Sequence, residues 1–108
     1  MIFQTLKPPY YAVIFLTIVE DNLDGYMETA QRMEALAKQQ KGFLGLESAR
    51  SEVGITVSYW QTEEAIIMWK NNVEHTEARN LGREKWYAQY QLRICKVERE
   101  YGFKKSSL

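Results

Sequence analysis

The stretch Tyr10-Tyr11-Ala12-Val13-Ile14-Phe15-Leu16-Thr17-Ile18-Val19, an almost unbroken run of aromatic, aliphatic and β-branched residues, decides the fold. It reads as a β-strand whose alternation puts Tyr11, Val13 and Phe15 on one face and Ala12, Ile14 and Leu16 on the other, so that both faces are apolar. It falls well short of the roughly twenty residues that a membrane-spanning helix needs. Downstream, Asp21-Asn22 and Asp24-Gly25 supply turn and N-cap chemistry, and Tyr26, Ala30, Met33 and Ala37 then recur at helical spacing. This predicts a first helix to about Gln40, with Lys38 and Lys41 suited to its negative C-terminal end and Gly42 placed to stop it.

Phe43 to Ser51 reads as extended, Glu52-Val53-Gly54 as a turn, and Ile55 to Gln61 as the returning strand, in which Ile55, Val57 and Tyr59 alternate with Thr56, Ser58 and Trp60. Thr62 is a candidate N-cap with Glu63 and Glu64 in the first turn, and the apolar helix from Ala65 to Trp69 is interrupted at Asn71-Asn72. A charged helical stretch runs from about Val73 to Trp86. Tyr87 to Tyr101 reads as a long last strand, with Tyr90, Leu92 and Ile94 facing opposite to Cys95, Val97 and Tyr101. The order strand, helix, strand, strand, helix pair, strand defines an α+β fold, the ferredoxin-like βαββαβ arrangement of a four-stranded antiparallel sheet with helices on one face. Residues 1–108 are read as one domain with its core at about 10–101 and a tail, 102–108, that is expected to fray.

Helices on one face leave the other apolar face of the first and last strands in water, a patch larger than soluble monomers usually expose. The simplest cover is a second copy packing sheet against sheet, which predicts a homodimer.

Lys plus Arg and Asp plus Glu balance at 14 each, so no global field attracts nucleic acid or an anionic membrane, and the sheet segments lack an RNP pattern. There is no Gly-rich nucleotide loop between strand and helix and no Gly-x-Ser-x-Gly elbow. One Cys and one His cannot assemble a Cys/His zinc site, so no metal is expected, and Cys95 is read as a buried structural thiol. The start, from Met1 to Pro9, shows no signal-peptide pattern, which gives a cytoplasmic expectation.

Gly42-Phe43-Leu44-Gly45, then Ser58-Tyr59-Trp60-Gln61-Thr62-Glu63-Glu64-Ala65, then Trp69, His75 and Ala78-Arg79-Asn80-Leu81-Gly82-Arg83, in that order and spacing, resemble the antibiotic-biosynthesis-monooxygenase (ABM) domains of the dimeric α+β barrel superfamily. The resemblance spans about Tyr10 to Tyr101. It implies a homodimer and a monooxygenase that uses no cofactor, acting on a small aromatic or acidic-CH substrate whose carbanion reacts with dioxygen in a pocket lined by Trp, Tyr, Asn and Arg. The related haem-degrading branch resembles the chain in the spacing of Trp60 and Trp69. Its iron-ligating His falls at Arg79, with His75 one helical turn earlier, and its first-strand Asn falls in the Ile14 to Leu16 region, which has none. Haem degradation is the alternative chemistry, and a small-molecule-binding or stress-associated dimer without catalysis is the alternative from another class.

His75, Arg79 and Arg83 recur at i, i+4 and i+8, so an imidazole and two guanidiniums share one helical face, which Trp86 and Tyr90 are expected to continue. The functional reading makes His75 the proton acceptor and Arg79 the holder of negative charge, with Trp69, Asn72, Arg83, Trp86 and Tyr90 binding substrate. The plain reading is a solvated face whose arginines pair with Glu77 or Glu84, with Trp60 in the core.

Overall fold

The computed structural model describes residues 4–106. Met1–Phe3 and the last two residues of the expected frayed tail, Ser107 and Leu108, lie outside that range. The elements follow the order β1 (Tyr10–Val19), α1 (Tyr26–Lys38), β2 (Phe43–Arg50), β3 (Gly54–Trp60), α2 (Glu63–Lys70), α3 (Val73–Leu81), a π-helical turn (Gly82–Trp86) and β4 (Tyr87–Val97). The sheet order is β2-β3-β1-β4, every pairing antiparallel. This is the expected ferredoxin-like α+β fold.

Local chemistry sets the element ends. Thr62 caps α2, its hydroxyl accepting from the Ala65 N–H at 3.1 Å, and Asn72 caps α3 by accepting from the His75 N–H at 3.1 Å. With Asn71 at the C-cap of α2, the two asparagines separate the helices, as expected. Helix α1 ends before Gly42, whose φ of 85° lies in the left-handed region. A Cβ built there would sit 2.7 Å from that of Ala65, so Gly42 also lets α2 approach the turn. Gly42→Ala is expected to cost about 2 kcal/mol from backbone strain and overpacking, read as a lower urea midpoint at unchanged slope.

Two elements are shorter than expected. The last strand ends at Val97, and residues 98–106 continue without regular structure, so Tyr101 is exposed instead of facing with Cys95. The helix expected to reach Trp86 ends as α-helix at Leu81 and closes through the π turn.

Register fixes the two faces. On the helix side lie four rows across β2-β3-β1-β4: Phe43–Trp60–Tyr11–Lys96, Leu46–Ser58–Val13–Ile94, Ser48–Thr56–Phe15–Leu92 and Arg50–Gly54–Thr17–Tyr90. The core sits at the first row, where Trp60, fully buried, packs with Ala65 and Ile66 of α2 and with Tyr11, Val13, Phe43 and Trp69. The helices do not reach across to β4, where Leu92 and Ile94 are 43% and 51% exposed. The outer face carries Tyr10, Ala12, Ile14, Leu16, Ile18, Ile55, Val57 and Tyr59. Cys95, opposite Ala12 on this face, is only half-buried, because no helix covers it; this corrects the expected buried thiol.

Candidate functional site

Rings climb from the sheet into the helix layer at the first row. Phe43 meets Trp60 edge to face at 5.3 Å, Trp60 stacks with Trp69 of α2 at 6.2 Å, and Trp69 stacks with the His75 imidazole at 4.1 Å and 11°. The break at Asn71-Asn72 makes the last contact possible: it turns α3 so that His75, six residues after Trp69, comes back over the indole. The His75 Nδ1 lies 2.8 Å from the Trp69 carbonyl oxygen. A carbonyl only accepts, so this contact assigns the proton of the neutral ring to Nδ1 and leaves Nε2 as a free acceptor. Burial, chiefly, and the neighbouring Arg79 guanidinium push the His75 pKa below 6.5, against the upward pull of the Trp69 carbonyl. The ring is therefore held neutral at pH 7.

Arg79, one turn along α3, donates from one terminal nitrogen to the Lys70 carbonyl at 3.1 Å and to the Thr76 hydroxyl at 3.4 Å. Its Nε–H is buried with no partner. An orphaned guanidinium donor is costly to keep. Asn72 stands beside this group, its side-chain oxygen engaged by the α3 cap instead of free for a ligand.

The other expected residues gather at the opposite end of the helix-side face. Arg83 Nε donates to the Tyr90 hydroxyl at 2.7 Å, with the guanidinium 5.7 Å from the ring centre. Tyr90 and Tyr87 both pack on Phe15, and Tyr87 on Tyr26. Trp86 departs from the expected face: the extra residue of the π turn rotates it away, and it is buried against Tyr26 with its indole N–H donating to the Asp24 carbonyl at 2.9 Å. A cavity of about 310 Å³ lies beside it, lined by Asn22, Asp24, Lys85 and Trp86. The face expected to be continuous thus divides into a His75–Trp69–Arg79 group and an Arg83–Tyr90 group. Between them runs the floor formed by Ser58, Val13, Ile94, Thr56, Phe15 and Leu92, open on the β4 side.

The sequence reading missed Arg50 and Tyr26. Arg50, the last residue of β2, donates to the Thr17 hydroxyl at 2.5 Å and the Tyr26 hydroxyl at 3.3 Å, and its guanidinium lies 5.9 Å from the Tyr26 ring centre. Only register puts them together, since Arg50 and Thr17 meet across Gly54. Burial, then Tyr26, drives the Tyr87 pKa up, so that phenol remains a proton donor.

The haem-degrading alternative gains no support from the residue at its iron-ligand position. The residue at the iron-ligand position, Arg79, has no lone pair to offer a metal, and the indole that would stand against the porphyrin is already engaged with His75 and Trp60. Among the described residues no group of three or more His, Cys, Asp or Glu side chains could hold a metal ion, and no helix is long and apolar enough to cross a membrane.

Fold and side-chain geometry place the chain among the small ferredoxin-like α+β proteins with helices on one face of a four-stranded sheet. The match to the antibiotic biosynthesis monooxygenase family over residues 9–81 makes it specific: the chain belongs to that family. It is 47% identical over 106 residues to YqjZ of Bacillus subtilis, an uncharacterised protein, covering 96% of this chain and 93% of YqjZ. It is also 25% identical over 103 residues to a jasmonate monooxygenase of Pyricularia oryzae, covering 90% of this chain and 42% of that longer protein. Among solved structures, SnoaB, a cofactor-independent oxygenase from Streptomyces nogalater, superposes with a TM-score of 0.74 at 10% identity, covering 86% of this chain and 97% of SnoaB, a likeness of fold.

Proposed function

We propose that the protein is a cofactor-independent monooxygenase of the ABM type, acting on a small aromatic or otherwise acidic-CH substrate in the cleft above Val13 and Phe15. The observation that carries this reading is the neutral imidazole of His75, its Nε2 free, one helical turn from the Arg79 guanidinium, whose Nε–H has no partner. His75 Nε2 takes the proton from the substrate carbon or phenol. The charge that develops on the conjugated oxygen is held by Arg79. The substrate carbanion then supplies electrons to dioxygen: a C–O bond forms, the peroxide O–O bond breaks, and a CH2 group becomes C=O with one oxygen atom leaving as water. The aromatic walls of Trp69, Tyr87 and Tyr90 suit a planar substrate. SnoaB, described as cofactor-independent, supports oxygenation without a bound cofactor as the chemistry to test first, and the jasmonate monooxygenase supports oxygenation as such. The test is oxygen uptake by the purified protein with a panel of anthrones, polyphenols and 1,3-diketones. Uptake of one dioxygen per substrate supports the reading. Saturable binding with no uptake across the panel would replace it with a non-catalytic binding protein.

The working unit in this proposal is a homodimer. The chain exposes 8216 Å², whereas a folded monomer of this mass typically exposes roughly 6,200 Å². Part of the excess comes from the irregular end segment, where Tyr101 and Phe103 are exposed. The outer sheet face contributes, with Ile18 and Ile55 each 43% exposed. Sedimentation equilibrium at micromolar concentration is expected to give twice the 12.7 kDa chain mass; a single species at the chain mass would sink the dimer.

A further inference from the structure

Helix α3 carries His75 and Arg79, yet none of its residues is fully buried. Val73, at its start, is 74% exposed. Among the described residues, the side chains of α3 bond chiefly to the end of α2: His75 to the Trp69 carbonyl, and Thr76 and Arg79 to the Lys70 carbonyl at 3.3 and 3.1 Å. These contacts converge on one point, and attachment at a point leaves rotation about it free. Glu74 is the exception. Its two carboxylate oxygens accept from Arg32 Nε at 2.6 Å and Arg32 Nη2 at 2.9 Å, across 42 residues of sequence.

This forked pair joins α3 to α1, which has its own anchors in buried Ala37 and in Tyr26, packed on Trp86 and Tyr87. A single-contact ion pair at this exposure contributes little, but two parallel charge-assisted bonds also fix direction. Direction is what α3 lacks. Glu74 immediately precedes His75, so the pair sets the turn that lays the imidazole on Trp69 at 4.1 Å and 11°. The bond to Arg32 also holds the Glu74 carboxyl below the usual carboxylate range, so the pair stays ionised where His75 titrates.

We propose that Arg32 is a positioning residue: through its forked bond to Glu74 it holds α3 against α1 and seats the His75 imidazole on the Trp69 ring. Its catalytic consequence rests on the reading of His75 as the base. Native-state hydrogen exchange and an NMR titration of the single histidine, both on the full chain, test the seating without any substrate. In Arg32→Ala the amides of α3 should exchange about threefold or more faster, with those of β1 and β3 unchanged. Arg32→Lys keeps the charge but loses the fork, and should fall in between. The charge felt by His75 is that of Arg79 on its own helix, while α2 offers it the Trp69 carbonyl and ring. Arg32→Ala alone would leave Glu74 as an unpaired charge next to His75 in the chain. The titration therefore uses Arg32→Ala/Glu74→Gln, in which both charges are gone. Its His75 midpoint should lie above that of the natural chain, because an unseated ring is less buried.

With a substrate from the oxygen-uptake panel, Arg32→Ala should lower kcat about fivefold or more and leave KM little changed, as expected of a displaced base. No uptake by the natural chain would sink the enzymatic reading, and the exchange and titration results would still decide whether Arg32 seats His75. The proposal is overturned if either the α3 exchange or the His75 midpoint matches the natural chain. Exchange that quickens equally in α3 and the sheet would overturn it too, since that marks a general loss of stability.

Discussion

Trp60→Ala is expected to cost about 3–5 kcal/mol of folding stability, a large share of the 5–15 kcal/mol that holds a domain of this size together. Trp60 is the largest side chain with no exposure. It joins the strand that carries it to three other elements: Phe43 of β2 edge to face, Trp69 of α2 by stacking, and Tyr11 of β1 directly across the ladder. Removing the indole leaves a cavity that no neighbour can fill without breaking the Trp69–His75 stack. Trp60→Phe keeps a ring but deletes the indole N–H that donates to the Ser58 hydroxyl at 2.9 Å, and should lose about 1–2 kcal/mol. Urea unfolding followed by far-UV circular dichroism reads both. Equal losses for Ala and Phe would show that the hydrogen bond, and not the packing, is what Trp60 contributes. In a folded Trp60→Ala chain the His75 ring should also be less tightly held.

The fold was legible because its signals are local and mutually consistent. The double-faced β1 run, the Thr62 cap and the Asn71-Asn72 break each appear in the structure where their chemistry puts them. Position along α3 was legible only as far as the α-helical period holds: His75 and Arg79 do come together, but the π turn at Gly82–Trp86 adds a residue per turn, and no side-chain pattern announces it. A Cβ on Gly82 would lie 2.5 Å from the Tyr87 ring, so the turn and the entry to β4 close on a glycine whose purpose is invisible in sequence. Arg50 and the Glu47–Tyr59 and Glu100–Tyr10 pairs are tertiary facts, set by strand register and by the path of the end segments. The isolated His75 could be singled out from sequence, but its stack on Trp69 and its bond to the Trp69 carbonyl depend on the angle between α2 and α3.

That bond makes the chemistry of His75 testable in one experiment, because the chain has a single histidine and its ring proton gives one NMR signal across a pH series. The midpoint is expected below 6.5, the direction set by burial and by Arg79. The sign follows for rate and stability alike. Nε2 is a base only when the ring is neutral, so oxygen uptake should be flat above pH 6.5 and fall as pH drops through the lowered folded-state pKa. Over the same interval the unfolded chain takes up the proton before the native one, so the stability present above pH 6.5 is lost as pH falls through the folded value. Arg79→Ala removes the repelling charge and should move the midpoint up, carrying the acid limb of the rate with it, while lowering the plateau about 10²–10³-fold through loss of the oxyanion donor. His75→Ala should lower oxygen uptake about 10²–10⁴-fold and abolish the acid limb. A midpoint at or above 6.5 would overturn the burial argument and move the acid limb of the rate to higher pH. A normal rate in His75→Ala would remove His75 as the base outright.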